Sequence, residues 1–368
     1  MGFKDFYGNT ATVRRLREAI ALGRFPHSLI LAGPRGAGKY TLALGLTQAL
    51  NCLEQPMGED GLPDFCGRCA NCTRIGTALE LDARVAEAVT ARDELRETDK
   101  KETRILIQPH PDVLVIPPDP PQLMIKLDQV RHAIHSAFYR PPTEARRAVT
   151  LFTSSAFMKE AANSLLKLLE EPPEGTTLIL LSENPQELLP TIRSRASVHR
   201  LGALPVGEIE ELLAARRTEF KTGERALVAR LSEGAVGRAL SFDLGAYLAC
   251  RQDALLLLRA ALGAGEFSSL FHATESYRAG AEGAQKMVGL LRALGSLIED
   301  LLLEVAGSGD LIRNLDMARE LERMSQGLTV EWLEGAVRQL SQAESGMRRN
   351  LLRSLSLDAM AFGMSGRR

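Results

Sequence analysis

The sequence predicts an α/β fold, with a parallel sheet in the first part of the chain and a bundle of helices in the second. Short apolar segments typical of buried strands alternate with helical patterns up to about residue 201, an order that favours a parallel sheet covered by helices. The first strand leads through a glycine-rich turn directly into a helix, as phosphate-binding α/β domains do. From residue 251 to 364 the apolar spacing is helical throughout, with breaks at glycines.

The predicted elements follow a simple order. An amphipathic helix is expected over residues 9–22, since Val13, Leu16 and Ile20 recur on one face. Short apolar runs then predict four strands, at residues 28–32, at the end of 110–116, at 148–152 and at 177–182. The intervening spacing predicts helices at residues 39–50, 127–138 and 160–171, the last stopped by two prolines. A stretch dense in charge and alanine is predicted to be a solvated helical insertion without a site, over residues 80–104.

Composition narrows the class of protein. A length of 368 residues predicts two to three domains. The charge is nearly balanced, with 45 Lys and Arg against 46 Asp and Glu, which argues against a chain that coats nucleic acid through its net charge. A single Trp among few aromatics disfavours a large stacking platform for single strands. The absence of an 18-residue apolar run and of a signal-peptide core leads us to expect a cytoplasmic protein.

The residues after the first strand nearly complete a phosphate-binding loop. The pattern G-x-x-x-x-G-K-[ST] surrounds phosphates with backbone N–H groups and a lysine, and it places a short hydroxyl on Mg²⁺. Tyr40 stands where that hydroxyl is needed, and its phenol projects too far. Thr41 comes one residue late, about 100° further round the helix. The candidate nucleotide-binding residues of this degenerate loop are Gly33, Gly36, Gly38, Lys39 and Thr41.

Four of the five cysteines lie close together in the sequence, at Cys52, Cys66, Cys69 and Cys72. Two C-x-x-C steps that share Cys69, with one cysteine upstream, can place four thiolates round one tetrahedral ion. We expect structural zinc, with no open position for water and therefore no metal catalysis. Disulfides are the alternative, but they need an oxidising compartment. Cys250 stands alone as a small side chain, and His110 is expected to be structural because the cysteines already satisfy a metal.

The third predicted strand lacks the acids that ATP hydrolysis needs. In nucleotide hydrolases of this type, that strand ends in Asp or Asp-Glu, which hold Mg²⁺ and polarise the attacking water. Phe152 and Thr153 stand at that point, and the first acid afterwards is Glu160, on the following helix.

Several further segments share the order and spacing of one known family. They are residues 25–39, the four cysteines, residues 110–112, residues 125–131, the stretch Asn163-Ser-Leu-Leu-Lys-Leu-Leu-Glu-Glu-Pro-Pro173, and Thr191-Ile-Arg-Ser-Arg195. On these residues the chain resembles the bacterial DNA polymerase III clamp-loader branch of the AAA+ proteins. The agreement runs from about residue 6 to 201 apart from the insertion, is looser over 202–245, and beyond that is a helical pattern with a final segment at 350–357. The stretch that starts at Asn163 is specific to this branch, whereas the phosphate loop alone is not.

This family contains motor subunits that hydrolyse ATP and a stator that usually does not. Three departures from the motor pattern favour the stator. Tyr40 replaces the Mg²⁺ ligand, Phe152 and Thr153 replace the acids, and Gly237 falls where the motor usually has its sensor arginine. These losses lie in three separate parts that handle ATP and Mg²⁺, and removing one such part can lower a rate by orders of magnitude.

The resemblance implies that the arginine finger of the family is kept. In the family motif Ser-Arg-Cys, the arginine enters the ATP site of the adjacent subunit. The match here is Ser194-Arg195-Ala196, which makes Arg195 the candidate catalytic residue. A guanidinium suits this task because it is planar, always charged and bidentate toward phosphate oxygens. The alternative is that Arg195 only caps the C-terminus of a helix.

The resemblance also implies an architecture and partners. It implies an AAA+ domain with a zinc module over residues 1–201, a small helical lid over 202–246, and an all-α collar that oligomerises over 247–368. The chain would act without ATPase activity of its own in a DNA polymerase III holoenzyme, and ATP binding is left open. The implied partners are gamma/tau and delta subunits, the sliding clamp and primer–template DNA. Two alternatives stay open, a catalytic gamma/tau-type motor with unusual motifs and an AAA+ repair adaptor.

Overall fold

A computed structural model describes residues 2–120, 122–139, 146–263, 277, 280–347 and 353–365. The chain forms two compact units. The first is Met1–Leu204 with Ala235–Arg238, and the second is Pro205–Gly234 with Ala239–Arg368. The division into three domains at residues 201 and 246 stays a prediction. Among the described residues, no helix combines the length and the apolar character that crossing a bilayer requires.

The first unit is built on a six-stranded sheet in the order β2-β3-β4-β5-β1-β6. Its strands are β1 (Ser28–Ala32), β2 (Ile107–His110), β3 (Val113–Ile116), β4 (Ala148–Phe152), β5 (Thr176–Ser182) and β6 (Ser197–Arg200). Neighbouring strands are parallel except β2 and β3, which form an antiparallel hairpin with an irregular register. The predicted parallel sheet is therefore confirmed for the four predicted strands, which are β1, β3, β4 and β5. Strand β6 is a parallel edge strand that was not predicted, and β2 is a second addition. It carries Pro109, and a proline within a strand is confined to edges and bulges because it has no N–H to donate.

Helices follow the strands of this unit. They are α1 (Thr10–Ala21), α2 (Lys39–Asn51), α3 (Ala70–Gly76), α4 (Leu81–Asp93), α5 (Glu97–Glu102), α6 (Leu127–Tyr139), α7 (Lys159–Glu170) and α8 (Pro190–Arg193), with 3₁₀ turns at Phe3–Asp5, Thr77–Leu79 and Pro185–Glu187. The predicted helices at residues 9–22, 39–50, 127–138 and 160–171 are confirmed to within two residues. Helix α7 ends before Pro172 because the residue preceding a proline is disfavoured in the helical conformation.

Successive residues of β1 point into two separate cores. Leu29 and Leu31 pack with the apolar faces of α1 and α2, whereas Ile30 and Ala32 pack with those of α6 and α7. This alternation follows from the two-residue period of a strand. All five residues of β1 are buried, so the sheet is covered on both faces and its strand ends are the open positions for a ligand.

The charged insertion is helical as predicted, but its charges are not all solvated. No residue of α4 or α5 is buried. However, Arg92 at the end of α4 donates to Asp119 at 2.6 Å, and the Asp119 side chain is fully buried. Lys126 lies 3.1 Å from the other oxygen of the same carboxylate. The prediction of a purely solvated insertion is wrong at Arg92, because Asp119 needs cations once it is out of water.

The second unit contains only helices among its described residues. They are α9 (Val206–Arg216), α10 (Thr222–Leu231), α12 (Leu244–Ala261), α13 (Gly280–Val305), α14 (Ala318–Ser325), α15 (Val330–Met347) and α16 (Arg353–Ser365), with 3₁₀ turns at Gly309–Leu311 and Leu315–Met317. Helix α11 (Val236–Leu240) begins in the first unit and ends in this one. Leu258, Leu294 and Leu297 lie at the centre of one apolar core, which confirms the predicted helix bundle. Of the glycine break expected after α12, Gly263 is described, and Gly265 lies outside the described residues.

Candidate functional site

The phosphate loop lies where β1 ends and α2 begins, at the carboxyl edge of the sheet. It borders a cleft of about 480 Å³. The other walls are residues 153–156 after β4, residues 181–183 at the end of β5, Glu187 and Gly237. Parallel strands bring their carboxyl ends to one edge, and this is where open α/β sheets bind ligands.

The glycines of the loop have backbone conformations that favour glycine. Gly33, Gly36 and Gly38 have φ values of +155°, +83° and +84°. A Cβ at Gly33 would lie 2.3 Å from the carbonyl oxygen of Leu201, a distance that no relaxed structure allows. The backbone at these three positions therefore favours glycine, although the motif is incomplete.

Lys39 is bound by the loop itself. Its ammonium group donates to the carbonyl oxygens of Gly33 at 2.6 Å and Pro34 at 2.9 Å. Burial lowers the pKa of Lys39, and the nearby Glu183 carboxylate opposes that shift. A phosphate that recruited this lysine would have to compete with both carbonyls.

Tyr40 has a structural partner that the motif does not suggest. Its phenol donates a hydrogen bond to the carbonyl oxygen of Ala78, in the turn Thr77–Leu79 that follows the cysteine segment. Burial raises the pKa of the phenol, and the Asp82 carboxylate adds to the shift. The Tyr40 hydroxyl is thus engaged in a hydrogen bond within the fold. Thr41, by contrast, is exposed and lines the cleft.

We expect Tyr40→Phe to lower the free energy of unfolding by about 1–2 kcal/mol, because it leaves the buried Ala78 carbonyl without its donor. Urea unfolding, followed by circular dichroism, measures this change. Equal midpoints for the Tyr40 variant and the unchanged chain would contradict a structural role for the phenol.

The end of β4 carries no carboxylate, as predicted. Phe152 is fully buried, and Thr153, Ser154 and Ser155 follow it into the cleft. Two acids that were not predicted from sequence, Glu183 and Glu187, lie in the wall of the cleft. Glu183 directly follows β5, the neighbour of both β1 and β4, so the rule that parallel strand ends meet would have found it.

Gly237 packs directly against the phosphate loop. Its N–H donates to the carbonyl oxygen of Gly36 at 2.8 Å. A Cβ at Gly237 would lie 3.0 Å from that oxygen, so any side chain there would press on the loop. Gly237 stands where the resemblance places a sensor arginine in the motor subunits, and it contacts the loop through its backbone.

The four clustered cysteines come together in space. Their sulfur atoms all lie within 4.8 Å of one another, and each of the four is a free thiol. Four sulfurs held about 2.3 Å from a zinc ion lie about 3.8 Å apart, so a small contraction suffices. Gly67, with φ at +69°, makes the turn between the cysteine pair Cys66 and Cys69. These residues could hold a metal such as zinc.

Backbone N–H groups point at the sulfur atoms of the cluster. Cys52 accepts from Gln55 and Cys66 at 3.3 and 3.4 Å, and Cys66 accepts from Cys69 at 3.2 Å. Burial raises the pKa of the Cys69 thiol, but the N–H groups of Cys72 and Leu53, together with hydrogen bonds from the neighbouring cysteine side chains, outweigh burial and bring the pKa to about 7. Such donors stabilise thiolates, the form that binds metal.

His110 is structural, as predicted. Its ring is buried and accepts the N–H of Asp112 at Nδ1, at 3.1 Å. Nε2 lies 3.3 Å from the side-chain oxygen of Asn71, between two of the cysteines. The imidazole therefore joins the cysteine segment to the edge strand β2.

Arg195 follows α8 and is bound within its own chain. One Nη donates to the carbonyl oxygen of Thr191 at 3.0 Å, and the other lies 2.7 Å from the Glu170 carboxylate. The contact with Thr191 is the helix cap that the sequence analysis kept as an alternative. The side chain remains 36% exposed, so a neighbouring molecule has access to it.

A family model described as DNA polymerase III, delta subunit, matches residues 8–205, more than half of the 368 residues. The tau subunit of DNA polymerase III from Escherichia coli K12 is 30% identical over 244 residues, which are 65% of this chain and 32% of that protein. The chain thus spans about a third of the tau and gamma/tau relatives that it matches.

Relatives whose length is similar to that of this chain are named delta' subunits. The delta' subunit of DNA polymerase III from E. coli K12 is 25% identical over 346 residues, which are 92% of this chain and 90% of that protein. The delta' subunit from Bacillus subtilis is 30% identical over 202 residues, 55% of this chain and 50% of that protein. A solved gamma subunit-related protein from Thermotoga maritima aligns with a TM-score of 0.43 and 18% identity, over 97% of this chain and 99% of that chain.

Proposed function

The chain belongs to the family described as DNA polymerase III, delta subunit, and from this premise we propose that it is a non-hydrolysing delta-prime stator of a bacterial clamp loader. In this role it assists the ATP-dependent loading of the sliding clamp onto primer–template DNA, in the cytoplasm. Its own contribution to the chemistry is Arg195, donated to the ATP site of a neighbouring subunit.

One contrast carries this proposal. The chain's own cleft has its lysine bound to Gly33 and Pro34, and has no acid at the end of β4. Arg195, by comparison, is exposed on the surface with its guanidinium held by weak, reversible contacts. A guanidinium that enters another subunit's site stabilises the charge that develops on the transferred phosphoryl group.

We also propose that the cysteine cluster holds one structural zinc. Cys52, Cys66, Cys69 and Cys72 supply four sulfur ligands and leave no position for a water molecule. The cluster lies next to the turn that accepts the Tyr40 hydrogen bond. Zinc in this place stabilises the segment that follows α2 and takes no part in a reaction.

The architecture that goes with this function is an AAA+ domain, a lid and a collar. We propose that the helices after residue 247 form the collar that assembles with gamma/tau and delta subunits, and that residues 202–246 form the lid. Arg195 lies in the first unit, outside these helices. Contact with the clamp and with DNA then comes through the assembly.

The experiment that tests the proposal has two arms. Tagged chain should capture gamma/tau and delta subunits from an extract of its own cells, and the purified chain alone should show no ATP turnover above background. Lys39→Ala should leave both results unchanged, because that lysine is bound to its own loop. Capture of repair proteins without loader subunits would indicate the adaptor.

The 30% identity to tau favours one other candidate, a gamma/tau-type motor. Turnover of ATP by the isolated chain that is abolished in Lys39→Ala would establish that alternative. The matched control is Lys4→Ala, since Lys4 is an exposed lysine away from the cleft.

A further inference from the structure

Glu170 forms an ion pair with Arg195, the side chain that the proposed function donates to a neighbouring subunit. Resting on that function, we propose that Glu170 is a latch, a positioning residue that keeps Arg195 on its own chain until a neighbour's phosphates displace it. The latch is the ion pair between the Glu170 carboxylate and the Arg195 guanidinium.

Two contacts define the latched position. Arg195 Nη2 lies 2.7 Å from Glu170 Oε1, and Nη1 donates to the Thr191 carbonyl at 3.0 Å. Both nitrogens at the end of the fork are therefore occupied. A phosphate that binds the guanidinium in a bidentate manner needs these same two nitrogens. Pairing with Glu170 and bidentate binding of a phosphate therefore exclude each other.

Charge supports the same conclusion. Beside a carboxylate the guanidinium is half of a neutral pair, and a neutral pair adds little to the stabilisation of a phosphoryl group that gains negative charge. The pair has to open before Arg195 acts in trans. A triphosphate with its high charge density is a better partner than one carboxylate, which makes the exchange favourable only when a neighbour's nucleotide is in reach.

The position of Glu170 in the fold favours a weak but specific ion pair with Arg195. It is the last residue of α7, where the negative end of the helix dipole disfavours a carboxylate. The guanidinium offsets this repulsion. At the same time it caps α8 through Thr191, so one cation serves the C-terminal ends of two helices.

The strength of the latch suits a reversible switch. The two side chains are 36% and 49% exposed, and exposed ion pairs shift an equilibrium by about 1.5- to 5-fold. Because only the unlatched fraction is competent, the latch lowers the action of Arg195 by a similar factor. Salt weakens the latch, since the Debye length falls from about 30 Å at 0.01 M to about 10 Å at 0.1 M.

The test compares Glu170→Gln with the unchanged chain in a fully assembled loader with gamma/tau and delta subunits, clamp and primer–template DNA. We expect ATP turnover per complex to rise about 1.5- to 5-fold at low ionic strength, and the difference to shrink as salt is added. Glu171→Gln is the matched control, because it removes the same charge from the next exposed residue and should leave turnover unchanged.

A second measurement reports on the latch in the free chain. Hindered rotation of the Arg195 guanidinium, seen as separate Nη resonances in ¹⁵N spectra, should be present in the unchanged chain and lost in Glu170→Gln. Equal turnover for the two chains at low salt, or a fall in Glu170→Gln, overturns the latch. If Arg195→Ala stops turnover while Glu170→Gln changes nothing, only the latch fails. If Arg195→Ala has no effect, the proposed function fails first.

Discussion

Replacing Arg195 with alanine is expected to lower the DNA-stimulated ATP turnover of a reconstituted loader by about 10³-fold at the site that receives this finger. The size of this decrease follows from the positive charge that a guanidinium brings next to the transferred phosphoryl group. Water does not replace this stabilisation. Clamp loading should fall with turnover. The change removes an exposed side chain, so the chain should still fold and assemble, as size-exclusion chromatography of the complex would show.

Two variants make this result specific. Arg195→Lys keeps a positive charge but loses the planar fork, so it should recover only part of the activity. Arg131→Ala removes another exposed arginine, one that pairs with Asp128 at 3.4 Å, and should behave as the unchanged loader does. Full turnover and clamp loading with Arg195→Ala would refute the finger.

Removal of metal is expected to have the second large effect. Structural zinc in small cysteine sites contributes roughly 10–16 kcal/mol of apparent binding free energy at pH 7, so its loss should unfold the segment of residues 52–72. Metal analysis of the reduced protein should find one zinc per chain. Treatment with a strong chelator should lower the thermal midpoint, and added zinc should restore it.

Cys72→Ser should give the same loss without chelator, because Cys72 is a buried member of the cluster. Cys250→Ser is the control, since Cys250 lies in the other unit and outside the cluster. Reduced protein that contains no zinc, or a Cys72→Ser variant with an unchanged midpoint, would refute the metal site.

Strands buried on both faces were predictable from sequence, and the two edge strands β2 and β6 were not. Strands β1 and β4 have the predicted bounds because a continuous apolar run can only be placed inside the sheet. Strand β2 escapes this rule because it is half exposed and contains Pro109. Its pairing depends on the hairpin with β3, a contact that apolar spacing does not encode.

The candidate site was predictable in its residue types and less so in its contacts. The incomplete phosphate loop and the four cysteines are local patterns, and the structure brings the cysteines together. The cap that Arg195 makes on Thr191 was anticipated from sequence, but the Glu170 partner of Arg195 and the carbonyl partners of Lys39 and Tyr40 were not, because no spacing rule identifies such partners. The ion pair between the half-buried Arg92 and the buried Asp119 joins residues far apart in sequence and was missed for the same reason.

The contact between Gly237 and the phosphate loop restricts which residues can stand at position 237. An arginine at position 237 would begin with a Cβ 3.0 Å from the Gly36 carbonyl oxygen. A threonine at position 40 would abandon the Ala78 carbonyl. Each of these changes would disturb a packing contact of the fold, and neither would place an acid at the end of β4. Residues 40 and 237 are therefore constrained by the folding of this unit, whether or not a nucleotide enters the cleft.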